Sequence, residues 1–449
     1  MIKRILSPFQ KFIKIESFSG ILLFGATIIA MLWANSPWGD HYQALWQYKL
    51  GFTFGSFELI KPLILWVNDG LMALFFFLIG LEIKRELLVG ELNTFRKAVF
   101  PLFAAIGGMF VPLAVFLILN TNPDTQDGWG IPMATDIAFS LAIIQLLGKR
   151  VPLSLKIFLT AFAIVDDLGA VLVIAIFYSG GIKGMLLVYA LVVLAILVVV
   201  SMTGKYKRQI TAVGGIIIWV LFLKAGIHPT IAGVLVAFTV PLRNLIDEAY
   251  FTDRFSQIAT SLQNMPAHEG PLLPKTQAYE LDELKKLIRK FKPRLQYLEH
   301  KIHQWSAYFI MPVFALANAG VVISMDMTLD TSLVWNIGLA LIVGKTAGIV
   351  LLSFLAVKLG VASLPEGVNF RQIFGVAVLA GVGFTMSIFI ANLAFSESAI
   401  YIDSAKIGII AGSLISGVLA YIILRMSAGP GTAEEGASEL SYTPQQIVE

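Results

Sequence analysis

The 449-residue chain contains no cysteine, five histidines and only 14% charged residues. The missing cysteine excludes disulfides, thiolate-held metals, Fe–S clusters and a thiol nucleophile. Five histidines, at 41, 228, 268, 300 and 303, are poor support for a multi-haem electron carrier. The scarcity of charge matters most. An average soluble domain carries about 25% charged residues, whereas here 57% of residues are hydrophobic. A globule in water would have nowhere to put those side chains. A soluble enzyme, a nucleic-acid binder and a disordered chain are therefore set aside. The formal charge of +4 does not restore a nucleic-acid partner, because the basic residues are not gathered in one soluble patch. No cofactor is expected, and the first partner implied is the lipid bilayer.

What is present is a series of long apolar runs. Crossing about 30 Å of hydrocarbon takes roughly 20 mostly apolar residues. Twelve candidate spans follow: 17–35, 60–86, 98–119, 130–147, 153–178, 184–202, 210–223, 227–242, 303–322, 333–357, 372–395 and 405–425. The seventh and eighth are separated at Lys224-Ala-Gly-Ile-His-Pro229, a turn signal. With the N-terminus placed in the cytoplasm, 27 of the 33 Lys and Arg residues fall inside and 5 outside, with Lys345 alone deep in a span. That asymmetry supports an even number of spans with both termini cytoplasmic. No cleavage site follows the basic N-terminal stretch, so it reads as an interfacial start to the first helix. Residues 1–425 form one membrane domain with a long polar loop at about 243–302. The second half of that loop, Tyr279 to Trp305, is expected to be an amphipathic helix divided at Pro293. The tail 426–449 is rich in Gly, Ser, Glu and Pro and is expected to be disordered.

A charge at mid-bilayer costs at least a few kcal/mol, so each needs a partner, a neutral form or a wet cavity. Asp69, Glu82, Asp136, Asp166, Asp167, His228 and Lys345 all fall within spans. For Asp69, Glu82 and His228, a span-end position or a structural hydrogen bond is an equally good account. Packing gives no such account of Asp166 and Asp167, two adjacent acids in the apolar run AIVDDLGA. Carboxylate oxygens suit a hard cation. Two of them in a dry site also compete for protons, and their titration belongs to the pair. Such a pair can exchange protons for a cation. A buried lysine such as Lys345 can neutralise one acid and release it when the cation arrives.

Two spans are rich in helix breakers. The fourth has Gly130 and Pro132 before Thr135 and Asp136; the eleventh has Gly381 and Gly383 before Thr385. Unwound backbone at membrane depth is tolerated where it lines a cavity or is buried in protein. Interrupted helices in corresponding halves point to a transporter's midplane site. These two hold the middle place in spans 3–5 and 10–12, triplets whose odd number makes any copy inverted. Opposed half-helix ends leave partial charges of like sign facing each other. Asp136 and Lys345 have the signs to balance them.

Together these residues resemble a known family. MATDIAF (133–139), KIFLTAFAIVDDLGA (156–170), LIGLEIKREL (78–87), KAGIHPTIAGV (224–234), FALANAGV (314–321), LPEG (364–367) and GFTMSIFIANLAF (383–395) are similar, in one collinear order over about residues 10–425, to NhaA-type bacterial sodium/proton antiporters. The resemblance implies an all-α integral membrane protein of twelve helices, with inverted three-helix repeats at spans 3–5 and 10–12 and two broken, crossing helices. It implies electrogenic exchange of one Na⁺ (or Li⁺) for two H⁺ across the inner membrane by alternating access, switched on at alkaline pH. Carried over by position, Asp166 and Asp167 would bind Na⁺. Thr135 and Asp136 would sit at the crossing, with Lys345 as charge partner of Asp166. Glu82, Arg85, Glu86, Glu299, His300 and His303 would form a cytoplasmic pH-responsive cluster. Asp69 and His228 match positions tied to structure or pH response. A homodimer is compatible with the family. Two features depart from its pattern: Thr346 replaces a common proline, and the loop at 243–298 is longer.

Other classes explain less. A proton-coupled transporter for another small solute needs a mid-span cluster of substrate donors, and none is visible. An intramembrane aspartyl protease needs two facing carboxylates, whereas neighbours on one helix point about 100° apart. A zinc site at Glu299, His300 and His303 has suitable spacing, but a titrating cluster is the better use of it.

Overall fold

The computed structural model describes residues 8–55, 57–203, 206–242, 246–265, 272–323 and 328–427. Among these, seven helices are long and apolar enough to cross a membrane: Leu63–Val89, Phe95–Leu119, Leu153–Phe177, Gly184–Met202, Arg208–Ala225, Thr331–Lys358 and Ala399–Ser427. Three bent pairs raise the number to as many as ten. One is Phe18–Ala34, which turns by 112° into Gly39–Gln47. The other two are Pro123–Met133 with Ile137–Leu146, bent by 48°, and Phe370–Ala380 with Phe384–Ala394, bent by 41°. The segment expected as an eighth span holds the ten-residue helix Thr230–Thr239. It is set off from Arg208–Ala225 by Gly226, whose φ of +85° closes the preceding helix. The ninth is the continuation of Arg294–Trp305 through a π-turn at Ser306–Ile310 into Met311–Asn318.

Burial sorts the helices into inner and outer. In Leu153–Phe177, 61% of the apolar window is buried inside the protein; in Gly184–Met202 it is 11%. The first is surrounded by other helices. The second packs one face, with Ala190 and Leu197, against its neighbours and leaves most of the rest outward, where lipid would lie.

Phe95–Leu119 packs closely along Thr331–Lys358 because both carry glycine at the contact. A Cβ on Gly107 would collide with the Gly348 carbonyl, and one on Gly348 with that of Gly107. Small residues let backbones approach in this way where lipid offers no hydrophobic drive between helices. This contact fixes the height of Lys345, which begins the next turn of its helix.

Two features depart from the sequence expectation. The chain is not purely helical: Lys49–Phe54 and Phe57–Pro62 pair as an antiparallel hairpin, with Phe54 opposite Phe57. Gly55, at φ +58°, supplies the left-handed position of its tight turn. The following helix therefore starts at Leu63. In the polar loop, helices at Lys275–Phe291 and Arg294–Trp305 flank Pro293 as expected, but the first half also holds a helix, Glu248–Gln263. Asp247 caps it by accepting from Tyr250 N at 3.0 Å, and Phe251 stacks on Phe291 with ring centroids 4.1 Å apart. The tail from 428 onward lies outside the described residues.

The glycine contact gives a direct test. Gly348→Ala should lower thermal stability by about 1–3 kcal/mol through overpacking. Gly25→Ala, where an added Cβ meets nothing within 4 Å, should leave the melting temperature of the purified protein unchanged. Equal melting of both variants would show that the helices can simply part.

Candidate ion site at the crossing of two broken helices

The two interruptions touch each other. Asp136 N donates to Val382 O at 2.8 Å, and Thr135 Oγ1 donates to Ala380 O at 3.3 Å. Ser387 Oγ donates to Ile131 O at 2.8 Å. Main-chain groups freed by each break are thus taken up by the other chain segment, as burial away from water requires.

The Asp136 carboxylate serves two helix starts at once. Its Oδ1 accepts from Phe139 N at 3.0 Å, capping Ile137–Leu146. Its Oδ2 accepts from Thr385 N at 3.1 Å and Thr385 Oγ1 at 2.6 Å, at the start of Phe384–Ala394. An anion at a helix N-terminus is stabilised by the unpaired N–H groups and the helix dipole. Lys345 takes the opposite sign at an opposite end. Its ammonium donates to the carbonyl of Met133, the last residue of Pro123–Met133, and to Asp166 Oδ2 at 3.0 Å. Lys345 and Asp166 are both fully enclosed, with side-chain exposure of 0%.

Asp166 and Asp167 lie midway along Leu153–Phe177, and both are buried. Each has one oxygen, Oδ1, without a hydrogen-bond partner among the described residues. A buried carboxylate oxygen left unpaired costs free energy unless it holds a proton, a water or a cation. Asp167 faces a cavity of about 40 Å³ that Glu82, Thr135, Asp136 and Thr385 also line, together with Ser19, Ser306 and apolar neighbours. That is room for a few waters. Among the described residues, no Lys, Arg or His lines it. No group of three His, Cys, Asp or Glu among the described residues is placed to hold a metal ion. A monovalent cation here would have to complete its oxygen shell with hydroxyls, backbone carbonyls or water.

The second cluster sits one helical turn further along Leu63–Val89. Arg85 Nη2 pairs with Glu86 Oε1 at 2.8 Å and Arg85 Nε with Glu299 Oε1 at 3.2 Å. His303 Nδ1 lies 3.6 Å from Glu82 Oε1. His300 is on the exposed side of the same helix as Glu299. Burial pushes the Glu299 carboxyl up to about 7; Arg85 and His303 oppose this, while Glu82 and Glu86 add to it. Glu82 belongs to both groups, since it lines the cavity and faces His303.

A third group is further away, at the hairpin end of Leu63–Val89. Asp69 Oδ2 pairs with Lys61 at 2.7 Å, and its Oδ1 is 3.9 Å from His228 Nε2. His228 Nδ1 bonds Thr230 Oγ1 at 2.7 Å. Lys61 escaped the sequence reading because its strand was unforeseen. The link from Thr385 to Asp136 was missed too, although Thr385 stood out beside its break. At position 346, Thr346 Oγ1 donates to Ile342 O at 2.6 Å, in the first turn of the helix Lys345–Lys358, which follows a π-helical stretch at Ala340–Gly344.

A membrane-spanning helical protein with buried carboxylates and a buried lysine at a broken-helix crossing is a transporter by its architecture. A family model described as Na+/H+ antiporter 1 matches residues 10–424, and the chain belongs to that family. It is 46% identical over 428 residues to the Na(+)/H(+) antiporter NhaA of Oleidesulfovibrio alaskensis, covering 95% of each chain. It is 45% identical over 418 residues to the protein of the same name from Wolinella succinogenes, covering 92% of each. With that of Parabacteroides distasonis it shares 43% over 442 residues, 94% of this chain and 96% of the relative. The chain is a multi-pass membrane transport protein.

Two outcomes follow from the geometry. Lys345→Ala leaves the Asp166 carboxylate buried and unpaired, and should cost about 3–5 kcal/mol of stability. Adding Asp166→Asn to Lys345→Ala should recover part of that loss. Equal melting temperatures for wild type and Lys345→Ala would refute the pairing. For Glu299 the sign is opposite to that of a salt-bridged acid. Its folded-state value of about 7 stands above the ordinary 4.5. Ionisation is therefore penalised in the folded chain, and stability falls as pH rises between those values and stays lost above them. Glu299→Gln should reduce the difference in melting temperature between about pH 5 and about pH 8. An unchanged slope would assign it elsewhere.

Proposed function

We propose that the protein exchanges one Na⁺, or Li⁺, for two H⁺ by alternating access, with exchange rising at alkaline pH. The supporting observation is the arrangement of two neighbouring buried carboxylates, one paired with a buried lysine and the other open to a small acidic cavity. The charge balance works as follows. Before the cation binds, Asp166 is a carboxylate paired to the Lys345 ammonium, and Asp167 is protonated. Na⁺ binds between the two acids. The Asp167 proton leaves, the Lys345–Asp166 pair opens, and the ammonium, no longer held by its counter-ion in a dry site, gives up a second proton. Two positive charges leave and one enters. The cycle moves net charge and is driven by membrane potential as well as by ΔpH.

Asp136 and Thr135 have a supporting part in this reading. Asp136 stabilises the facing half-helix starts while the site changes charge. Asp69 and His228 brace the far end of Leu63–Val89. Twelve crossings with inverted triplets, a bacterial inner-membrane location and cytoplasmic termini complete the proposal, and a homodimer is compatible with it.

The test is an acridine-orange ΔpH assay in everted vesicles with Na⁺, Li⁺ and K⁺. Asp167→Asn should abolish Na⁺-dependent proton release at normal expression, and Asp166→Asn should abolish or severely reduce it. Asp136→Asn should weaken apparent Na⁺ affinity more than maximal rate. Normal exchange in Asp167→Asn would remove the site assignment.

The pH dependence has two candidate origins. If protons simply compete with Na⁺ at the carboxylates, saturating Na⁺ flattens the acid side of the profile, and His300→Ala and His303→Ala change nothing. If the Glu82–Arg85–Glu299–His303 cluster acts separately, the acid shut-off persists at saturating Na⁺ and Glu82→Ala shifts it. We expect competition to be the larger effect, since it uses only groups the exchange already requires. An acid shut-off that saturating Na⁺ leaves intact would overturn that ranking.

A further inference from the structure

Asn68, Asn318 and Asn392 come from three different helices and meet in one hydrogen-bonded network. Asn318 Nδ2 donates to Asn68 Oδ1 at 2.8 Å and to Phe314 O at 3.0 Å. Asn318 Oδ1 accepts from Asn68 Nδ2 at 3.2 Å and from Asn392 Nδ2 at 2.8 Å. A primary amide has two donors and two acceptor sites, so the Asn318 side chain is saturated. It is also completely buried.

The position of the network is what gives it meaning. The 40 Å³ cavity is lined by Phe75 on the first helix, Met311 on the second and Thr385 on the third. Asn68, Asn318 and Asn392 each lie seven residues from those positions. Seven residues are about 10 Å along a helix. On Leu63–Val89, the network lies on the side of the cavity away from Arg85 and its partners. An aromatic layer comes between: the Phe389 ring is 5.5 Å from Phe76 and 6.2 Å from Phe314. Asn392 is carried by Phe384–Ala394, the half-helix that also presents Thr385 to Asp136. The network therefore ties the Thr385-bearing half of the crossing to two neighbouring helices, at the end opposite Arg85 and its partners.

We propose that Asn68, Asn318 and Asn392 form a latch on the outer end of the ion path, closed in this structure and parted when the cavity opens outward. The proposal rests on the alternating-access reading above. The chemistry suits a latch: neutral amides exchange each other for water at little net cost, so the bonds can break and reform in every cycle. A salt bridge at the same place would attract the passing cation or hold the helices together.

The chain's lack of cysteine makes the test clean. Met386→Cys places one thiol at the cavity. In right-side-out vesicles, a membrane-impermeant methanethiosulfonate should label it slowly. With Asn318→Ala added, the external rate should rise about tenfold, the order expected for loss of one or two buried hydrogen bonds. An unchanged external rate would overturn the latch. A second measurement guards against a folding defect. Asn318→Cys with Asn392→Cys, bridged through two disulfides by a short bis-methanethiosulfonate, should lose Na⁺-driven proton flux and regain it when a thiol reductant cleaves those disulfides. Flux through the bridged protein at the unbridged rate would also overturn the latch. Failure of the transport reading looks different: wild type itself would then show no Na⁺-dependent flux, whatever the labelling.

Discussion

A backbone that leaves the helix inside a membrane must find partners for every freed N–H and C=O. Much of this structure follows from that demand at one crossing. Two spans break at about the same depth, and their loose ends are satisfied by each other. Asp136 N on Val382 O and Ser387 Oγ on Ile131 O are two such bonds. The remaining imbalance is of charge: half-helix starts are partly positive and half-helix ends partly negative. Asp136 sits at two starts and Lys345 at one end. The sign of each side chain is thus set by the local backbone before any ion is considered. Once Lys345 is fixed there, Asp166 has a counter-ion, and Asp167, the next residue along, is left to face the cavity.

The helix contact between Gly107 and Gly348 belongs to the same chain of causes. It sets the depth of Lys345 along its helix, and only at that depth does the ammonium meet both Met133 O and Asp166. A side chain as long as lysine tolerates little error when it must reach two acceptors in a dry interior. Backbone-to-backbone packing therefore supports the electrostatics from a distance of one helical turn.

Much of the site could be read from the sequence because ionisable residues stand out in an apolar run. Asp166, Asp167, Lys345 and Asp136 were visible for that reason alone, and the two breaks were visible as Gly and Pro beside hydroxyls. The Lys345–Asp166 pair was expected from the family resemblance, but other pairings were not visible. Thr385 and Asp136 are 249 residues apart, and Asn68 and Asn318 are 250 apart. Nothing local marks such partners. The hairpin at 49–62 was hidden for another reason. Its second strand, FELIKP, runs directly into an apolar helix, so hydropathy alone merges the two. Glu248–Gln263 shows helical spacing at Phe251, Phe255, Ile258 and Leu262. That spacing is easily passed over in a segment that reads as polar overall.

Glu82 makes the cavity and the neighbouring charge cluster hard to treat as separate devices. It lines the cavity that Asp167 faces, and it lies 3.6 Å from His303. Arg85, three residues on, shares its helix face and holds Glu299, which changes charge near pH 7. Glu82 is among the charges that push the Glu299 carboxyl up, and such an electrostatic coupling is mutual. A proton gained or lost in the cluster is therefore felt at Glu82, and through Glu82 at the cavity. The effect has a definite sign. Ionising Glu299 adds negative potential, which favours a cation, and favours a proton equally. Potential alone cannot then choose between the two. Selection has to come from the number and placement of oxygens around the two free Oδ1 atoms, where a cation needs a shell and a proton needs a single lone pair.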